Sequence, residues 1–242
     1  MSVSSRLEAA LLTRPPRLLH ALLPGCEWAS QRTSAAGAPV VYLTFDDGPI
    51  PEETPWVLEQ LALFKARAAF FCVGENLQRH PEIARAALAG GHRLGNHTLR
   101  HHSAWATGRA GYLADVRHCQ TLLQELTLGT AGPAASPAAV GTSNPRPAMG
   151  PTPLFRPPYG RLTWPLLPAL QTEYRVIMWS VLTRDYDPGL SPESCLRFTL
   201  KAVRPGDILV FHDSRKASAR LRFVLPRVLA HFAERGFQFA AL

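Results

Sequence analysis

The sequence predicts an α/β protein, a distorted (β/α)7-type barrel in a single domain. Short apolar runs rich in β-branched and aromatic residues alternate with stretches of helical periodicity along most of the chain. Polar residues capable of chemistry stand at the C-terminal ends of those runs, the end of a β/α barrel where the loops converge on one opening. The length, 242 residues, suits one domain with a full core.

Candidate strands cover residues 40–47, 68–73, 93–97, 154–156, 176–182, 208–212 and 237–242. Between them, helices are expected at 53–65, 81–89, 111–126, 162–171, 192–203 and 221–234. Strand followed by helix, repeated, argues for a parallel sheet closed or nearly closed into a barrel. Residues 129–153 fit neither pattern: rich in Gly, Ala, Pro, Ser and Thr, they are expected to form a flexible surface insertion. Residues 1–38 are expected to be a short amphipathic lead-in to a domain spanning 39–242. Pro15, Pro16 and His20 interrupt its apolar stretches, so neither a signal-type core of about 7–15 apolar residues nor a transmembrane span of about 20 is expected. The expected location is cytoplasmic, or outside by a non-classical route.

Composition narrows the classes further. With 46% hydrophobic and 18% charged residues, global disorder is excluded. The formal charge of +8 is spread along the chain without a basic block or a nucleic-acid motif. It reads as a solvated basic surface, with no nucleic-acid partner expected. Cys26, Cys72, Cys119 and Cys195 form no CxxC pair, so neither a thiolate metal site nor a disulfide framework is implied. Cys72 reads as a buried apolar residue.

Two carboxylates, Asp46 and Asp47, end the first strand within Thr44-Phe45-Asp46-Asp47-Gly48-Pro49. Adjacent carboxylates repel unless a cation sits nearby, although Asp-Gly-Pro is also good turn chemistry. The functional reading gives one carboxylate a metal and the other a proton. His97 and His101 lie four residues apart, which on a helical turn places both imidazoles on one face. With one Asp they make a His₂Asp set that leaves a position open, the pattern of a catalytic metal site. His102 follows directly, but His97 and His102 would splay on a helical turn. His212-Asp213-Ser214 superficially resembles a hydrolase triad, yet neighbours on a strand point to opposite faces.

Five segments in order carry a resemblance to the NodB-homology polysaccharide deacetylases, carbohydrate esterase family 4. They are Thr44–Pro49, the H-T-x-x-H of His97–His101, Arg156-Pro157-Pro158-Tyr159-Gly160, the Asp185-Tyr186 region after Trp179, and Val210-Phe211-His212. The resemblance spans about residues 39–242. It implies that Asp47, His97 and His101 hold a divalent metal, zinc above Co²⁺, Ni²⁺ or Mn²⁺. Asp46 would be the general base, Arg156 the arginine that keeps it ionised, and His212 the general acid with Asp185 as its partner. The backbone N–H of Tyr159 would stabilise the oxyanion, and Pro158, Tyr186, Val210 and Trp105 would line the substrate groove. The implied activity is removal of N-acetyl groups from a peptidoglycan- or chitin-like carbohydrate.

Three departures from the family pattern bear on the substrate. Leu182 replaces the first Asp of D-x-x-D-W, Tyr186 replaces its Trp, and Val210 replaces the leucine of the acetyl pocket. Losing one methylene enlarges that pocket, an effect worth about 1–3 kcal/mol in discrimination. Trp56, Trp105, Trp164 and Trp179 are each a candidate for sugar stacking or for rim and core packing, with Trp105 the best groove candidate. His80, His92, His118 and His231 read as surface or helix-end residues. Deacylation of a small amide or ester, and a silent carbohydrate-binding module, are the alternative functions.

Overall fold

The computed structural model describes residues 13–16, 18–128 and 152–242. Strand β1 (Val40–Asp46) runs through the middle of a parallel sheet with β2 (Ala68–Cys72), β3 (Arg93–Asn96), β4 (Leu154–Phe155) and β5 (Arg175–Val176) on one side. On its other side lie β7 (Ile208–His212) and then β6 (Val181–Leu182), while β8 (Gln238–Phe239) pairs with Val40 and Val41 at the start of β1. The sheet order is β5-β4-β3-β2-β1-β7-β6. All of these pairings are parallel, so the C-terminal ends of β1, β3, β4 and β7 open in one direction.

Alternation along the strands separates two environments. Val40 and Tyr42 of β1 point into the barrel with Phe71, Leu154, Ile177 and Ile208, forming its inner core. Val41, Leu43 and Phe45 point outward under helices α2 (Thr54–Leu63) and α8 (Ser218–Ala233), meeting Leu61, Leu225 and Leu229. A second outer cluster joins Tyr112 and Val116 of α5 (Arg109–Leu128) to Leu167 and Leu170 of α6 (Leu167–Gln171). Helix α4 (Pro81–Ala89) begins with proline at its first turn, where a missing N–H costs nothing. Helix α7 (Pro192–Ala202) adds a cap: the Ser191 hydroxyl accepts from the Ser194 N–H at 3.3 Å.

The expected continuous strand at 176–182 is instead two strands. β5 and β6 stand at opposite ends of the sheet order, yet only residues 177–180 separate them. Five Cα steps reach at most about 18 Å, so the sheet must curl until its two edges nearly meet. One straight strand cannot pair with β4 and β7 at once, and the chain bends between them. The lead-in enters this seam: the Glu27 N–H donates to the Val176 carbonyl at 2.8 Å, and the Met178 N–H donates to the Glu27 carbonyl at 2.7 Å. Glu27 is further tied to Arg175 by an ion pair at 2.8 Å.

Other departures are smaller. Helices α1 (Leu18–Leu22) and α3 (Gly74–Arg79) were not expected, and the helix expected at 162–171 occupies only Leu167–Gln171. Of the expected insertion at 129–153, only Thr152 and Pro153 lie within the described residues. Cys26, Cys72, Cys119 and Cys195 are free thiols. His92 is buried rather than at the surface; its Nδ1 accepts from the Ala68 N–H at 3.2 Å, and burial lowers its pKa to about 4. Among the described residues, no helix is long and apolar enough to cross a membrane.

Candidate metal centre and active site

Asp46 ends β1 with its side chain on the inner face, as Tyr42 and Thr44 are. Arg156, one residue past β4, is fully buried beside it and donates from Nη1 to Asp46 Oδ1 at 2.7 Å. The same guanidinium donates to Thr44 Oγ1 at 2.7 Å, to the Met178 carbonyl at 2.9 Å and to the Ile177 carbonyl at 3.2 Å. Its carbon lies 4.1 Å from the centre of the Phe71 ring. Burial alone would raise the Asp46 carboxyl, but Arg156, helped by His97 and His212, holds it below the ordinary carboxylate value. Asp46 is therefore held as a buried carboxylate with its charge favoured.

At Asp47 the backbone turns left-handed, with φ 84°, a conformation Asp tolerates better than most residues. The turn breaks the strand's alternation and sets the carboxylate beside two imidazoles. Asp47 Oδ1 lies 3.3 Å from His101 Nε2 and 4.0 Å from His97 Nε2. The three ligand atoms all fall within 4.8 Å of one another. Ligands on a tetrahedral ion with bonds of about 2.0–2.1 Å stand roughly 3.4 Å apart, so the set fits a divalent metal. His97 is buried, and its Nδ1 meets the Arg156 carbonyl at 2.8 Å, which fixes the tautomer and frees Nε2. Burial lowers the His97 pKa to about 4, keeping the ring neutral as a ligand must be.

The helical turn expected across His97 and His101 is absent. Residues 97–101 form a loop in which Thr98 (φ 65°) and His101 (φ 58°) are both left-handed. Asn96, fully buried at the end of β3, holds that loop: its Oδ1 accepts from the Thr98 N–H at 2.9 Å. Thr98 Oγ1 then accepts from the His101 N–H at 3.0 Å. The loop delivers the same two histidines that a helix would have, while His102 stays outside the ligand cluster.

On the other side of β1, His212 ends β7, directly in register with Asp46. Its Nδ1 contacts Asp185 Oδ1 at 2.7 Å, and its backbone N–H donates to Asp185 Oδ2 at 2.8 Å. Asp185 is fully buried. Burial would lower the His212 pKa, but Asp185 outweighs it and raises the value to about 9. His212 is thus a cation at neutral pH with Nε2 available as a proton donor.

The remaining expected residues surround this pair. Tyr159 is exposed in a short 3-10 turn (Pro158–Gly160), with φ 59° and its ring centre 4.7 Å from that of His101. Pro158, in the same turn, is buried. Gly160 is required there: its φ is 64°, and a Cβ would come within 2.3 Å of the Trp179 ring. Tyr186 meets His212 edge-on at 4.9 Å between ring centres. Val210 is buried in β7 and pairs in register with Leu182. Trp105 lies at the rim, its Nε1 donating to the Leu162 carbonyl at 3.0 Å and Arg161 stacking 4.9 Å above its ring. Sequence reasoning passed over Asn96, Asn76 and Thr44 as site residues. Asn76 Nδ2 donates to the Asp47 carbonyl at 2.8 Å, a supporting role that no pattern of charged residues reveals.

A model of the polysaccharide deacetylase family matches residues 33–175, more than half of the chain. The chain belongs to the polysaccharide deacetylase family. Among curated relatives of this deacetylase, a chitooligosaccharide deacetylase of Sinorhizobium fredii is 34% identical over 218 residues, covering 84% of this chain and 90% of its own. A peptidoglycan-N-acetylglucosamine deacetylase of Bacillus cereus is 28% identical over 207 residues, covering 84% and 86%. The fold matches the solved peptidoglycan N-acetylglucosamine deacetylase complexed with 4-naphthalen-1-yl-N-oxidanyl-benzamide at TM-score 0.72 and 25% identity, covering 93% of this chain and 94% of that one. With its Asp47, His97 and His101 centre, the chain is a metal-dependent carbohydrate deacetylase.

Proposed function

We propose that this deacetylase hydrolyses N-acetyl groups on an amino-sugar polymer or oligomer of peptidoglycan or chitin type. The observation that carries the reading is the opposite pairing of two groups in register on adjacent strands: Asp46 bonded to the Arg156 guanidinium at 2.7 Å and His212 bonded to the Asp185 carboxylate at 2.7 Å. An acetamide is a poor electrophile, so its hydrolysis needs both a base for water and an acid for nitrogen. A glycan-binding module would need neither.

Asp47, His97 and His101 would hold the metal, and zinc suits their mixed nitrogen and oxygen donors. Bound there, it would supply Lewis-acid polarisation of the acetyl carbonyl and acidification of a water. Asp46 takes a proton from the attacking water, and Arg156 holds that carboxylate in one orientation while it does so. The backbone N–H of Tyr159, a residue with a left-handed φ of 59°, would donate to the developing oxyanion. His212 gives a proton to the departing nitrogen, and Asp185 keeps it charged and oriented until then. Val210 and Leu182 bound the acyl side, while Tyr159, Tyr186 and Trp105 offer aromatic surface to sugar rings.

Acetate release from N-acetylglucosamine oligomers, with zinc, with chelator and with Asp46→Asn, tests this reading. Zinc-dependent release that falls by about 10²–10⁴ in the variant is expected. Full activity under chelation or in Asp46→Asn would overturn the mechanism. Glycan binding without acetate release under any metal would replace it with a binding role. Release from a small N-acyl amide or ester alone would move the substrate to that class.

A further inference from the structure

The buried carboxyl group of Asp213 has no part in the chemistry above, although it follows His212 directly. Its side chain reaches back to the turn after β1. There Oδ1 accepts from the Gly48 N–H at 3.1 Å, and Oδ2 is bonded to Thr54 Oγ1 at 2.6 Å. The Asp213 N–H donates to the Asp46 carbonyl at 3.1 Å. Thr54 Oγ1 in turn accepts from the Ile50 N–H at 2.9 Å. One residue therefore grips the peptide groups on both sides of Asp47: the carbonyl before it and the N–H after it. Asn76 grips the carbonyl of Asp47 itself. These bonds bracket the left-handed residue whose carboxylate faces His97 and His101. The fit is close enough that a Cβ on Gly48 would stand 2.1 Å from Asp213 Oδ2.

We infer that Asp213, with Thr54, is a positioning residue for the metal centre: it locks the left-handed turn at Asp47 and couples that ligand to the strand end carrying His212. The φ and ψ torsions of a turn residue are soft, and Asp47 without its clamps would sample conformations that withdraw its carboxylate from the histidines. Burial raises the Asp213 pKa to about 8, which agrees with a group placed for local hydrogen bonding, with no cation paired to it among the described residues. The inference rests on the proposed role of Asp47 as a ligand, and that dependence can be separated by experiment.

The test is zinc affinity of the metal-free protein by calorimetry, with circular dichroism and thermal melting as controls for folding. Asp213→Ala is expected to weaken zinc binding by about 10–100-fold, the scale for supports of metal ligands. Its zinc-saturated form should lose kcat with KM within about twofold of wild type. Asp213→Asn keeps an oxygen for Gly48 and a polar partner for Thr54, so it should bind zinc within about threefold of wild type. Gly48→Ala in the otherwise native protein should weaken zinc at least fivefold, and the double variant with Asp213→Ala should lose no more than Asp213→Ala alone, because the collision is gone. Wild-type zinc affinity in a folded Asp213→Ala, or in Gly48→Ala should the former not fold, overturns the inference. If wild type and Asp47→Ala bind zinc equally poorly, the ligand reading fails first and this inference with it.

Discussion

Arg156 Nη1 and Asp46 Oδ1 meet at 2.7 Å where the arginine has no exposed surface at all. Water cannot reach the guanidinium there, so Asp46 balances its buried charge and Arg156 in turn favours the ionised carboxylate. Arg156→Met strands the carboxylate in the interior and should destabilise the fold by about 3–5 kcal/mol. In the weaker replacement Arg156→Lys, the charge survives but the planar fork does not. With less opposing it, burial should then raise the Asp46 pKa. Since the base works ionised, the acid limb of kcat/KM should move to higher pH, and an unmoved limb would count against Asp46 as base.

His212 leads to the opposite limb. Its pKa of about 9 exists because Asp185 outweighs burial. Asp185→Asn should lower the value, leaving only Asp47 and Asp46 to oppose burial. The alkaline limb of kcat/KM should fall with it, and a proton NMR titration of the ring should report the same shift. The sign for stability follows. A histidine raised on folding contributes stability that is full below about 6.5 and lost as pH rises through about 9. Melting temperature should show that decline in wild type and not in Asp185→Asn.

Metal binding should also register without turnover. A ligand that binds only the folded state stabilises by about 2.7 kcal/mol at a hundredfold excess over its Kd. Zinc added to the chelated protein should therefore raise the melting temperature. His101→Ala should abolish that response while leaving the melting temperature of the chelated protein close to wild type, because His101 sits in a surface loop and contributes little core.

The acyl pocket offers a test of specificity. Val210→Leu restores one methylene against Leu182 and should lower the ratio of N-propionyl to N-acetyl hydrolysis by about tenfold or more. Equal ratios in the two proteins would place the acyl group elsewhere.

What the sequence made legible was chemistry at strand ends. Asp46, His97 and His212 are polar residues closing apolar runs, and a parallel sheet must gather such ends on one face. The split at 176–182 was not legible, since its apolar run is unbroken and only the closing geometry of the sheet forces the bend. The loop at His97–His101 misled for a related reason. Its spacing is helical, whereas its conformation is fixed by Asn96 and Thr98 through hydrogen bonds that no periodicity records. His92 was misplaced because an imidazole bonded to a backbone N–H looks, in sequence, like any other histidine after two glycines.

The gap in the barrel wall has a consequence for the base. In an uninterrupted strand the carbonyls of Ile177 and Met178 would be spent on neighbouring strands. Here both turn inward and receive Arg156. The irregularity is thus the socket in which the arginine is seated, and a more perfect barrel would leave that guanidinium without two of its acceptors. Sequence changes that lengthen or straighten residues 177–180 should unseat Arg156 before they disturb any residue that touches substrate.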